Sequence, residues 1–184
     1  LSKRALLVID VQKGFSRHDV TGERNNPECE ANVAKLIDAF RSAEQPIVFV
    51  KHNSISPTSV LFPGQEGNDF KDMIVGTPDL LVTKSVNSAF YGEPDLHKWL
   101  KESGINSVAI CGIQTNMCCE TTARMAGNLG LDTWFVLDAT HTFAKTANGV
   151  KISAEDLAQT TAVNLSGEFS LVISTEDAVS KISS

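Results

Sequence analysis

Three groups able to break an acyl bond, a thiol, a carboxylate and an amine, recur at one kind of place in this chain. Each follows a run of apolar residues. Cys118 lies in Cys111-Gly112-Ile113-Gln114-Thr115-Asn116-Met117-Cys118-Cys119-Glu120-Thr121-Thr122, just after Ser107-Val108-Ala109-Ile110. Asp10 ends Leu6-Leu7-Val8-Ile9, and Lys84 ends Leu80-Leu81-Val82-Thr83. The segment opening at Cys118 reads as a helix, which places the thiol where unpaired backbone N–H groups favour the thiolate. Each residue alone has a plainer reading: a loop cap, a solvated lysine, a small core hydrophobe. An acid, a base and a nucleophile that each close an apolar run point together to a cysteine hydrolase.

Positioning these groups requires the runs to be strands of one sheet. Strands are expected at 5–11, 46–50, 80–84, 107–111, 133–137 and 171–173. They are rich in Val, Ile and Leu without alternation, as in a sheet covered on both faces. Helical patterns separate them. Asn26-Pro27-Glu28 reads as an N-cap, a proline at the first position and an early acid, before Val33, Leu36, Ile37 and Phe40 on one face. Leu96, Trp99 and Leu100 mark a helix stopping at Gly104; Met125, Ala126 and Leu129 mark one running from Cys118 to Gly130. Ser153-Ala154-Glu155-Asp156 resembles a capping box, and Thr175-Glu176-Asp177 opens a last helix. The alternation predicts a three-layer α/β/α fold, a doubly wound, mostly parallel, Rossmann-like sheet of about six strands. In such sheets ligands bind beyond the carboxyl ends of the strands. The long irregular stretch from His52 to Gly76 is expected either to wall that site or to be a poorly ordered loop.

With 184 residues, 42% hydrophobic and 21% charged, the chain reads as a single domain over residues 1–184. A net charge of −6 and the lack of a basic run argue against nucleic acid as a partner. No apolar stretch reaches the length of a membrane span and no signal peptide is visible, so no membrane role is expected. The four cysteines follow neither a metal nor a disulfide pattern, which suits reduced thiols and a cytoplasmic address.

The motifs Val8-Ile9-Asp10-Val11-Gln12, Thr83-Lys84 with Asn87-Ser88-Ala89-Phe90, and Gly112-x-x-Thr115-x-x-Cys118-x-x-x-Thr122 occur in one order along the chain. In this they resemble the isochorismatase-like cysteine hydrolases, which include nicotinamidases, carbamoylsarcosine amidases and streptothricin hydrolases. The resemblance runs from Leu6 to about Ala139, and more loosely beyond. It implies Cys118 as nucleophile, Asp10 as general base and acid, and Lys84 as third member of the triad. It also implies a cis peptide between Ile113 and Gln114, with the N–H groups of Gln114 and Cys118 forming an oxyanion hole. A homodimer or homotetramer acting on a small molecule is implied as well.

Gln12, Phe15, Asn87 and Phe90 are further candidates for substrate binding, with loop support as the alternative for Gln12 and Asn87. Cys119, turned about 100° from Cys118 along a helix, reads as packing, and Cys29 and Cys111 as structural. Metal-binding relatives carry Asp-x-His after the second strand, where this chain has Val50-Lys51-His52. Neither a metal nor a cofactor is therefore expected; His18, His97 and His141 show no ligand spacing. His52, Trp134 and His141 read as core or loop residues. No glycine-rich nucleotide motif is present, and a phosphoryl receiver would need acids beside Asp10. Isochorismatases proper cleave a vinyl ether without needing the cysteine, so Cys118 favours hydrolysis of the C–N bond of a carboxamide, lactam or ureido compound. Vinyl-ether hydrolysis and a catalytically silent binding or signalling module are the alternatives.

Overall fold

The computed structural model describes residues 3–17 and 22–183; His18 lies outside them. Six parallel strands form the central sheet: β1 (Arg4–Ile9), β2 (Ile47–His52), β3 (Leu80–Lys84), β4 (Ser107–Ile113), β5 (Asp132–His141) and a last strand, Leu171–Ile173. Their spatial order is β3-β2-β1-β4-β5 followed by Leu171–Ile173. The chain thus reverses direction across the sheet between β1 and β4, the arrangement that opens a crevice at the strand ends. The expected three-layer fold is what forms.

Both faces are covered because successive residues of β1 point to opposite sides. Leu6 and Val8 pack with Val33, Leu36, Ile37 and Phe40 of helix α1 (Cys29–Ser42) and with Ala178 of the C-terminal helix Thr175–Ile182. Ala5, Leu7 and Ile9 pack with Leu96 and Leu100 of α2 (Leu96–Glu102) and with Ala123 and Ala126 of α3 (Glu120–Asn128). Leu165, at the end of a helix spanning Ala154–Leu165, joins that second cluster.

Several local readings change. Asn26 does not cap α1: its amide donates to the carbonyls of Asp138 and Thr140 on β5, and α1 begins after Glu28 without a side-chain cap. The chain from Thr115 to Cys119 is a π-helical turn preceding α3, so Cys118 sits inside a turn, with no free helix end at its position. A two-stranded hairpin, Lys145–Ala147 with Val150–Ile152, was not anticipated. Its turn, Asn148-Gly149, has φ of 51° and 77°, the positive values that make Asn-Gly a hairpin signal. Ser153 does cap its helix, accepting from the N–H of Asp156 at 3.0 Å. Among the described residues, no helix is long and apolar enough to cross a membrane.

Candidate active site

The parallel register places the candidate residues. His52 and Lys84 are partners at the ends of β2 and β3, and Asp10 follows Ile9, the partner of Val50. On the other side of β1, Ile9 pairs with Gly112 of β4, and the chain leaving β4 turns back as Thr115–Cys119. Lys84, His52, Asp10 and Cys118 therefore stand in one row along the carboxyl edge of four adjacent strands. The approach of β1 to β4 depends on Gly112. Its φ is 125°, and a Cβ there would lie 2.0 Å from the Ile9 carbonyl oxygen.

Lys84 Nζ donates to Asp10 Oδ2 at 2.6 Å, with both side chains 0% exposed. Burial opposes the charge on Lys84, but Asp10 and Cys118 outweigh it, and its pKa is raised. Asp10 has a φ of 50°, and its other oxygen, Oδ1, is buried without a hydrogen-bond partner among the described residues. Asp10 contributes a carboxylate oxygen, His52 a ring nitrogen and Cys118 its Sγ to a cluster whose atoms lie within 4.8 Å of one another. Burial, then Asp10, push the Cys118 thiol up to about 12, with Lys84 pulling the other way. Burial and the Asp10 carboxylate thus work against the thiolate that a helix end was expected to favour.

Around the thiol, Asn87 Nδ2 lies 3.7 Å from Sγ. The N–H of Ala89 donates to Thr122 Oγ1, tying the segment after β3 to α3. Phe90 packs on the same core cluster as Cys118 and meets His97 edge-on. Phe15 instead stacks on Phe143 at 6.3 Å and joins the opposite cluster. Gln12 is 0% exposed, with its amide donating to the carbonyls of His52 and Asn68 and accepting from the N–H of His52. These contacts match loop support, the alternative to substrate binding. Asn68 anchors the 52–76 segment beside the site, donating to the carbonyls of His52 and Leu61.

The Ile113–Gln114 peptide is cis. In the turn that follows, the Gln114 carbonyl accepts from the N–H groups of Met117 and Cys119. Neither of those two bonds uses the N–H of Gln114 or Cys118. Cys119 is 0% exposed and packs in the core, its thiol pushed well up by burial. His52 is the residue that sequence reasoning placed elsewhere: its Nδ1 lies 3.2 Å from Lys84 Nζ. Asp10, His52 and Cys118 resemble a metal-ligand set, but the ammonium of Lys84 already lies against two of them, where a divalent ion would have to displace it. Lys145, at the start of the hairpin, is exposed, and its charge interacts with Cys118.

Residues 4–176 match the family described as the Isochorismatase domain. An isochorismatase family protein of Bacillus subtilis, YrdC, is 34% identical over 96% of this chain and 95% of its own length. Nicotinamidase 3 of Arabidopsis thaliana is 34% identical over 92% of this chain and 83% of its own. A crystal structure of an isochorismatase family protein from Chromobacterium violaceum superposes with a TM-score of 0.92. It is 33% identical and covers 98% of this chain and 93% of that one. On fold, sequence and motif order together, the chain belongs to the isochorismatase family of hydrolases.

Proposed function

We propose that this hydrolase is a cysteine amidohydrolase that cleaves the C–N bond of a small carboxamide, lactam or ureido compound through an acyl-thioester. One observation carries the reading: a fully buried Lys84–Asp10 pair set against the Cys118 thiol, with Asp10 Oδ1 left without a partner. A buried carboxylate oxygen without a donor is a ready acceptor for a thiol proton. Similarity to a protein named as a nicotinamidase supports amide chemistry.

In this mechanism Asp10 takes the Cys118 proton as sulfur attacks the carbonyl carbon. The N–H groups of Gln114 and Cys118 receive the oxyanion; losing one such donor typically costs about 100- to 1000-fold in rate. Asp10 then gives its proton to the departing nitrogen and the C–N bond breaks, leaving the thioester. Water attacks next, passing its proton to Asp10; the C–S bond breaks, the acid is released, and Asp10 returns the proton to sulfur. Lys84 stays charged throughout, balancing Asp10 in one state and sulfur in the other. Asn87 and Phe90 flank the substrate. The same reading carries a small-molecule substrate, a cytoplasmic setting and a homodimer or homotetramer, with neither nucleic acid nor membrane as partner.

The test is ammonia release from a panel of small carboxamides, ureido acids and lactams, comparing wild type with Cys118→Ala. Release by wild type alone is expected and identifies the substrate class. Equal release by Cys118→Ala, or silence on the panel with turnover of an enol ether, would overturn the amidohydrolase reading.

A further inference from the structure

We propose that His52 is a positioning residue for Lys84: its neutral imidazole, protonated on Nε2, accepts a hydrogen bond at Nδ1 and holds the ammonium against Asp10 and Cys118. The inference rests on the roles proposed above for Asp10, Lys84 and Cys118.

An ammonium carries three N–H donors and no acceptor. Lys84 has 0% side-chain exposure, so water cannot satisfy a donor that the protein leaves free. Asp10 Oδ2 takes one donor at 2.6 Å. A second lies 3.2 Å from His52 Nδ1. Held from both sides, the ammonium stays beside Asp10, where its charge also acts on the Cys118 sulfur. Without His52 it would keep a buried, unpaired donor and the freedom to swing from the thiol.

The tautomer follows from the same contact. Because Lys84 can only donate, Nδ1 must present its lone pair, which puts the imidazole proton on Nε2. An imidazolium would have no lone pair and would set a second cation beside the first. The groups facing His52 are Lys84 from β3, Asp10 from β1 and Cys118 from the turn after β4. On its own strand, Lys51 is directed to Asp69, with 3.9 Å between the charged atoms. Burial, followed by Lys84, lowers the His52 pKa against the opposing pull of Asp10, which keeps the ring neutral at physiological pH. The backbone of His52 is fixed independently of its ring. Its N–H donates to Gln12 Oε1 at 2.8 Å, and its carbonyl accepts from Gln12 and Asn68 at 3.0 Å each. A ring substitution therefore leaves the strand end in place.

Two measurements test the proposal, one of which needs no substrate. Long-range proton–nitrogen correlation NMR reports imidazole tautomers, with His52→Asn assigning the signal. The expected result is the Nε2–H tautomer near neutral pH and an upward move of the His52 pKa in Lys84→Met. An Nδ1–H tautomer, or a His52 pKa indifferent to Lys84→Met, would overturn the proposal even if the amide reading stands. With a substrate from the panel, His52→Leu should lower kcat by about 10- to 100-fold, the usual effect of losing a hydrogen bond to a charged group, with little change in KM. His52→Asn, whose amide oxygen can accept from Lys84, should recover most of that loss and shift the acid limb of kcat/KM to lower pH. Wild-type kcat and pH profile in both variants would overturn it. If no substrate is found, the amide reading fails alone and the NMR result still decides.

Discussion

Replacing Asp10 by Asn would perturb the charge pair at the centre of the site. Both side chains are 0% exposed with 2.6 Å between the charged atoms, so the variant leaves a buried ammonium without its carboxylate. Removing one member of a buried ion pair costs about 3–5 kcal/mol. For a chain of this size that lowers Tm by about 6–20 °C. Lys84→Met strands the carboxylate instead, with a loss in the same range. The double variant buries neither charge, and its loss should fall short of the summed singles by a coupling energy of about 1–3 kcal/mol. The thiol gives a second signal of known sign. Burial, then Asp10, push Cys118 up to about 12 while Lys84 pulls it down. Asp10→Asn should therefore make the thiol more acidic and speed its alkylation at alkaline pH, while turnover collapses for want of a base. Lys84→Met should move the thiol the other way. Thermal denaturation of the four proteins and mass-spectrometric alkylation rates against pH would measure both effects, the other cysteines being 0% exposed. Additive stability losses would refute the buried pair. An Asp10→Asn thiol that titrates as in wild type would refute the electrostatic assignment.

A second ion cluster contributes to the acid stability. Burial opposes charge on Glu30, but Arg24 and Lys71 outweigh it and hold the carboxyl at about 2, against an ordinary 4.5. A folded pKa below the unfolded one gives stability that is fully present above pH 4.5 and is lost as pH falls toward 2. The contribution is on the order of 3 kcal/mol. Glu30→Gln should remove that part of the acid transition, and denaturant melts between those pH values should show a shallower slope than wild type, the remainder including His141, whose pKa burial lowers to about 3. Gly112→Ala should destabilise by about 3 kcal/mol and abolish turnover, because its Cβ would meet the Ile9 carbonyl oxygen at 2.0 Å in a backbone with φ of 125°. Near-wild-type stability in that variant, read by thermal denaturation, would refute the close contact of β1 and β4.

The layers of this fold were legible because nearly continuous apolar runs alternating with capped helices allow few other arrangements. The strand ends bearing Asp10 and Lys84 were legible for the same reason, since a charged residue closing such a run must stand at the sheet edge; Cys118 lies just past the end of β4, in the turn that leads into α3. His52 was not. It ends its run as Lys84 does, but its place between Asp10 and Lys84 depends on the strand order β3-β2-β1, which no local signal carries. At Cys118 the sequence showed a helix-end field but not the buried carboxylate beside the thiol, which acts against the thiolate. Gln12 was ambiguous in sequence because an amide serves substrate and backbone equally well; only its partners distinguish the two. The Asn148-Gly149 turn carried a readable hairpin signal, but the flanking strands are three residues each and exposed, too short for the alternation in Val150-Lys151-Ile152 to stand out.

The arrangement also explains how three titratable groups can share a buried site. A lone charge in such a place is costly, whereas Asp10 and Lys84 together are neutral, and the protonated thiol adds nothing. Moving the proton from Cys118 to Asp10 transfers the negative charge from oxygen to sulfur without changing the sum. Lys84 lies against the carboxylate and its charge also acts on the sulfur, so in the proposed mechanism its field serves the charge before and after the transfer with little reorganisation. That economy requires the ammonium to remain where it is. A free thiolate at rest would forfeit it, since Asp10 and sulfur would then compete for a single cation. In the proposed mechanism a raised Cys118 pKa is thus compatible with a nucleophile whose proton passes directly to the carboxylate beside it.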